Sequence, residues 1–261
     1  MTLSRKIRLV SSYPYTHQTA VRSDGHGKEL HHYLVERFPH VGEKSWRHRE
    51  NEGLIHVLRD GKPLGTLKLN ETGLLAGDTI VHHVPKMIEP SVPDEVMILE
   101  ESPDIVAVFK PAPMPMHAGG RYYKNSLHYI LEEKGYEGLR IVHRLDAVTS
   151  GLVVMAKNKE MARECTKAFE QSRVKKTYWA RVHGSPNEIG EYLINTPIRR
   201  KKGFVFECGD GLDGALAAQT SCTLLRKDGL ESLIQCRPIT GRTHQIRLHL
   251  SYWGHPIYND P

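Results

Sequence analysis

Three prolines, Pro85, Pro90 and Pro93, crowd residues 85–93. Proline lacks the amide donor that a helix interior or a central strand needs, so no regular element should run through them. The stretch therefore reads as a linker and divides the chain of 261 residues into two units with separate cores. No apolar run approaches the roughly 18 residues needed to cross a bilayer.

Before the linker, residues 1–24 show no apolar periodicity and end at Asp24-Gly25, a turn signal, so an extended or mobile arm is expected there. Residues 28–37 place Leu30, Tyr33 and Leu34 on one helical face, and Pro39 ends it. Short strand-like runs follow at 54–58, 66–69 and 79–84, punctuated by Asp60-Gly61 and Gly77-Asp78. Residues 25–84 thus read as a small α+β module. In the order of its segments, with GLIHVLRDGKPL and LLAGDTIVHHV, it resembles a divergent S-four-like RNA-binding domain.

Beyond the linker, strands are expected at 96–99 and 105–109 and a helix at 126–134. Residues 141–157, IVHRLDAVTSGLVVMAK, are two apolar runs around a polar turn that holds His143, Arg144, Asp146, Thr149 and Ser150. Taken alone, such a turn is most often solvated and capped by its own Asp and Thr. Residues 158–171 put Met161, Cys165, Ala168 and Phe169 on one face of an amphipathic helix whose stripe should be core. In KKTYWARVHG, Tyr178, Ala180 and Val182 alternate with Trp179, Arg181 and His183, as in a half-exposed strand. The segment CRPITGRTHQIRLHLSYWGHPIYNDP gathers Arg237, Arg242, His244, Arg247 and His249.

These three segments resemble, in order, the motifs of RluA-type pseudouridine synthases. His-Arg-Leu-Asp with Thr-Ser-Gly and a strand ending Ala-Lys is similar to the first motif, Lys-x-Tyr to the second, and Thr-Gly-Arg-Thr-His-Gln-Ile-Arg-x-His-Leu to the third. ESPDIVAVFKPAPMPMH is similar to the family's acidic turn, strand and Lys-Pro segment, here Lys110 and Pro111. The resemblance implies an α+β chain in which residues 94–261 form a mixed, mostly antiparallel-sheet catalytic domain. It implies Asp146 as nucleophile, Tyr178 as active-site tyrosine, Arg247 as partner of the carboxylate and Arg144 as the wedge that helps a base leave its stack. His143, Arg242 and His244 are expected near the RNA. The family's domain continues past this point of the sequence through further strands, so the catalytic domain is expected to be short of them.

The charge balance agrees with such a partner. Lys and Arg number 36 against 30 Asp and Glu, and the basic run Arg199, Arg200, Lys201, Lys202 is expected to meet RNA phosphates, with a nuclear signal or a solvated loop as alternatives. Tyr178 as a plain core tyrosine and the histidines as structural groups also stay open. The partner the resemblance implies is an RNA, tRNA or rRNA, and the chain is expected to act as a monomer. Neither a cofactor nor a metal is expected: the 16 histidines show no His-x-x-x-His spacing, and the four cysteines no Cys-x-x-Cys pair. Gly209, Gly211 and Gly214 mimic a dinucleotide fingerprint, but β-type residues follow too soon for the helix it requires, so a loop is expected. The first ten residues lack a secretory apolar stretch. Unpaired cysteines suit a reducing compartment, the cytoplasm first, with the mitochondrion and the nucleus open.

Two rival readings differ in kind. A silent RNA-binding protein with this fold is disfavoured by the retained Asp146, Tyr178 and Arg247. A nucleoside hydrolase would need a carboxylate pair, and none is evident.

Overall fold

The computed structural model describes residues 6–186, 190–203 and 205–260. Contacts divide the chain into two compact units, Leu9–Ser91 and a second that joins the first residues to Val92–Pro261.

The smaller unit has a four-stranded antiparallel sheet ordered β2-β5-β3-β4. Its elements follow β1 (Ile7–Arg8) as β2 (Tyr13–Ala20), α1 (Leu30–Arg37), α2 (Glu43–Asn51), β3 (Ile55–Arg59), β4 (Lys62–Leu64), α3 (Thr66–Thr72) and β5 (Thr79–Met87). Val21, Tyr33, Leu34, Trp46, Val57, Leu74 and Ile80 fill its own core. Asp60 and Gly61, at φ 51° and 74°, close the β3–β4 hairpin by the left-handed turn that a two-residue connection favours.

Three expectations need correction here. The expected arm contains β2, which pairs with β5 along its length. Its alternation of half-buried and exposed residues is carried by Tyr13, Tyr15, His17 and Thr19 rather than aliphatic residues, which hid it. The expected linker is structured at both ends. Strand β5 runs through Pro85 where the β2–β5 register shifts, a bulge that spares the missing N–H. At the other end, β6 (Val92–Pro93) pairs with β1. Finally, the expected strand at 66–69 is α3, because a four-residue Thr-Leu-Lys-Leu window does not separate a period of 2 from 3.6, and packing of Leu69 into the core decides.

The larger unit contains two four-stranded antiparallel sheets, β7-β8-β10-β9 and β11-β16-β15-β12, and a β13-β14 hairpin. In order they are β7 (Met97–Glu101), β8 (Ile105–Lys110), α4 (Leu127–Glu133), β9 (Arg140–Ile141), β10 (Gly151–Ala156), α5 (Lys159–Glu170), β11 (Tyr178–His183), β12 (Glu191–Ile194), β13 (Ile198–Lys202), β14 (Val205–Cys208), β15 (Thr220–Asp228), β16 (Glu231–Pro238) and α6 (Gln245–Tyr252). Val106 and Val108 of β8 and Val153 and Met155 of β10 pack with Leu127, Ile130 and Leu131 of α4 in one core. Ala180, Val182, Ile234 and Leu250 build a second. Tyr178 packs against both.

Helix α5 is capped by Asn158, whose side chain accepts the Met161 N–H at 2.8 Å. None of its residues is fully buried, so its apolar stripe is a half-covered face and not the core expected. The Gly209 to Gly214 segment is a loop followed by a strand. Cys222 and Cys236 face each other across β15–β16 with sulfurs 3.9 Å apart, and all four cysteines are unbridged.

Candidate active site

The turn between β9 and β10 carries Asp146. It is anchored by Leu145, which is buried in the first core, and by the Ala147 carbonyl, which accepts from the Met114 N–H at 2.9 Å. Lys110 adds a second tie. Its side chain is wholly buried, and Nζ donates to the carbonyls of Pro111 at 3.2 Å, Met114 at 2.8 Å and Ala147 at 3.3 Å. Burial pulls this amine down to about 8, against the opposing pull of the Asp146 charge.

The Asp146 carboxylate is one-fifth exposed, and its nearest polar partner is His244: Nδ1 lies 2.7 Å from Oδ2. Nη1 of Arg247 stands 3.7 Å from the same oxygen, within ion-pair range but beyond hydrogen bonding. The Nε of Arg247 instead donates to both oxygens of Asp260, at 2.9 and 2.8 Å. An ionised carboxylate only accepts, so His244 carries its proton on Nδ1 when Asp146 is charged. Arg247 Nη1, though 3.1 Å from that nitrogen, then has no lone pair to donate to there.

His244 reaches Asp146 from a left-handed backbone conformation, φ 55°, immediately before α6. A non-glycine residue persists there only when its surroundings over-determine it. Gln245 supplies that constraint. Its carbonyl oxygen accepts from the Thr240 hydroxyl at 2.7 Å and the Arg242 N–H at 2.9 Å, and its amide donates to Gln219 O and Thr220 Oγ1, both at 2.9 Å. Buried His249 completes the clamp, donating from Nε2 to the Thr196 carbonyl and accepting at Nδ1 from Thr220, each at 2.9 Å.

Tyr178 opens β11, opposite Cys236. Burial, and then the charge of Asp146, hold its phenol above the usual range, so the hydroxyl stays protonated. The structure thus brings Asp146, Tyr178, His244 and Arg247 together.

The other expected residues differ in exposure and contacts. His143 turns inward: its Nε2 accepts the Val154 N–H at 2.9 Å and its ring stacks on Phe169 at 4.6 Å, so it braces β10 and α5 rather than facing RNA. Burial, with the charge of Lys176, pushes it down to about 4. Arg144 is exposed. Arg242 is exposed and donates from Nε to the Ala217 carbonyl at 3.0 Å. Arg199, Arg200, Lys201 and Lys202 form β13. Among the described residues no three His, Cys, Asp or Glu side chains come together as metal ligands, and no helix is long and apolar enough to cross a membrane.

Sequence reasoning missed Asp260. One signal was present: between Cys236 and Pro261, amid six Arg and His side chains, Asp260 is the sole carboxylate.

A family model described as RNA pseudouridylate synthase matches residues 104–252, which include Asp146, Tyr178, His244 and Arg247. The chain belongs to the RNA pseudouridylate synthase family. It is 32% identical to RNA pseudouridine synthase 7 of Oryza sativa subsp. japonica, over 97% of this chain and 64% of that protein. It is 30% identical to the tRNA pseudouridine(31) synthase of Saccharomyces cerevisiae, over 97% of this chain and 71% of the relative. A mitochondrial tRNA pseudouridine(32) synthase of the same yeast is 29% identical, with 98% and 54% covered. The chain thus spans about half to two thirds of the length of several curated relatives. Among solved structures, human RNA Pseudouridylate Synthase Domain Containing 1 superposes with a TM-score of 0.57 at 28% identity, over 66% of this chain and 71% of that one.

Proposed function

We propose that this chain converts uridine to pseudouridine in a structured RNA, with Asp146 as the nucleophile. The observation that carries the reading is one carboxylate, on the family's first motif, met by the His244 donor at 2.7 Å and the Arg247 guanidinium at 3.7 Å from the third. The reaction detaches uracil, turns it and rejoins it through carbon. It is an isomerisation, balanced in atoms and electrons, and its chemistry calls for no cofactor. Asp146 acts as an anion, Tyr178 lies as a protonated phenol against the base, and Arg247, held by Asp260, supplies positive charge behind the carboxylate.

The substrate is tRNA, the class on which both yeast relatives are named as acting, with rRNA as the second choice. Charge distribution supports an RNA partner for the larger unit. Leu9–Ser91 holds ten Lys and Arg against ten Asp and Glu, so the whole excess of 36 over 30 lies on the other unit. Long-range attraction of a polyanion is then the work of the catalytic unit. Exposed Arg144 and Arg242 meet the RNA, Arg144 as the wedge. The smaller unit, read as S-four-like, adds hydrogen bonds and shape rather than field. The chain acts as a monomer in the cytoplasm, the mitochondrial relative making the organelle the alternative. Tritium release from uridine-labelled total tRNA is the test: no release by the folded protein, from tRNA or from rRNA, rejects the activity.

A further inference from the structure

Strand alternation divides the basic run of β13 into two faces. Arg199 lies opposite Glu207 and Arg200 opposite Phe206 in the β13–β14 hairpin. On one face, Arg199 donates to Glu207 at 2.7 Å and to the Asp213 carbonyl at 3.0 Å, and Lys201 stands 3.3 Å from the other Glu207 oxygen. One carboxylate thereby compensates two of the four cations locally. The other face carries buried Ile198 and half-buried Cys208, Phe206 and, at its outer end, exposed Arg200. Arg200 has no carboxylate partner among the described residues; its guanidinium carbon sits 5.4 Å from the centre of the Phe206 ring.

The same ring touches the active site. Phe206 and His244 meet edge to face, centroids 5.7 Å apart at 89°. His244 in turn has its Nδ1 2.7 Å from Asp146. Arg200, Phe206, His244 and Asp146 are therefore consecutive contacts, leading from an exposed cation to the carboxylate. A ring nitrogen aimed at one carboxylate oxygen must be held against rotation about its side-chain bonds, and edge-to-face packing is directional enough to do so.

We propose that Phe206 is a positioning residue that holds the His244 imidazole on Asp146, and that Arg200, stacked on the same ring, is where this hairpin meets an RNA phosphate. The proposal rests on the reading of Asp146 as the nucleophile and deepens it: binding at the hairpin and alignment at the carboxylate share one aromatic ring. A solvated basic loop would involve Lys201 as much as Arg200 and would leave His244 indifferent to residue 206.

The test uses the full chain with Phe206→Leu, Phe206→Tyr, Arg200→Gln and Lys201→Gln, each checked by circular dichroism for an unchanged fold. On tRNA, Phe206→Leu should lower kcat by about tenfold with KM within about twofold, as loss of an alignment realised in the transition state requires. Phe206→Tyr, which keeps the ring, should restore it. Arg200→Gln should raise KM and flatten the slope of log affinity against log salt by about one, more than Lys201→Gln does. A second readout needs no turnover. The Nδ1 proton of His244, assigned by its loss in His244→Ala, should shift or broaden in imidazole NMR spectra of Phe206→Leu and not of Lys201→Gln. Unmoved His244 resonances and an unmoved kcat in Phe206→Leu overturn the positioning role; equal effects of Arg200→Gln and Lys201→Gln overturn the phosphate contact. Should the unaltered protein show no turnover, the proposed activity fails, and the NMR and filter-binding results still decide the two residue roles. If Phe206→Leu unfolds, Phe206→Ile and the Arg200 arm decide by the same criteria.

Discussion

His244 Nδ1 lies 2.7 Å from Oδ2 of Asp146, whereas Arg247 Nη1 stands at 3.7 Å from the same oxygen. The direct hydrogen bond to the carboxylate thus comes from an imidazole, and the guanidinium that the family motif suggested as its partner is tethered to Asp260.

Replacing Asp146 by Asn should abolish pseudouridine formation while leaving the fold and RNA affinity intact, because the amide is nearly isosteric but cannot supply the anion. Tritium release and filter binding on the same preparation check this. Turnover near the parental rate would remove Asp146 from the nucleophile role.

The two partners of Asp146 should separate kinetically. His244→Ala removes a charge-assisted hydrogen bond, so single-turnover rates should fall by about 10- to 100-fold. His244→Asn should recover much of this, since Asn places a donor near the Nδ1 position and tolerates the left-handed backbone found here at φ 55°. Arg247→Met should lower the rate more than it weakens binding. Weaker binding with unchanged turnover at saturating RNA would make Arg247 a phosphate contact instead.

Asp260→Asn keeps the size of the side chain but discharges the group that accepts from Arg247 Nε at 2.8 and 2.9 Å. Loss of this tether should reduce kcat by roughly tenfold, the scale of one charge-assisted hydrogen bond, with RNA affinity maintained. An unchanged kcat would show that Arg247 needs no anchor.

Burial of neutral His143 predicts an acid-sensitive stability. Its pKa is about 4 in the folded chain, against 6.5 as the ordinary value. Between these limits the unfolded state binds more protons, so stability is complete above about pH 6.5 and is lost as pH falls through about 4, by up to about 3 kcal/mol. Denaturant unfolding from pH 7 to 4 should show this fall, and His143→Phe, which keeps a ring against Phe169, should flatten it.

Lys110 predicts a change of the same sign in another window. Its folded value of about 8 lies below the ordinary 10.5, so its charged form is penalised by burial below about pH 8, and stability should rise with pH between about 8 and 10.5. Lys110→Met removes that rise. It also leaves the carbonyls of Pro111, Met114 and Ala147 without this donor, and should cost about 2–4 kcal/mol at neutral pH. Denaturant midpoints at pH 7 and pH 10 separate the two effects.

The sequence by itself determined what depends on local pattern. Alternation in Tyr178–His183 wrote β11, Asp60-Gly61 wrote a hairpin, and apolar runs on both sides of Asp146 wrote a polar turn between strands. Motif order named the family and pointed to Asp146. Tertiary structure decided what depends on partners distant in the chain. Strand β2 carries few aliphatic residues and exists because β5 pairs with it; α3 is a helix because Leu69 has a core to fill. Asp146 lies 98 residues from the imidazole that holds it, and Arg199 and Arg200, adjacent in sequence, belong to opposite faces of one hairpin. Spacing along a chain fixes which side of an element a residue occupies, but which group waits on that side is set only when the elements pack.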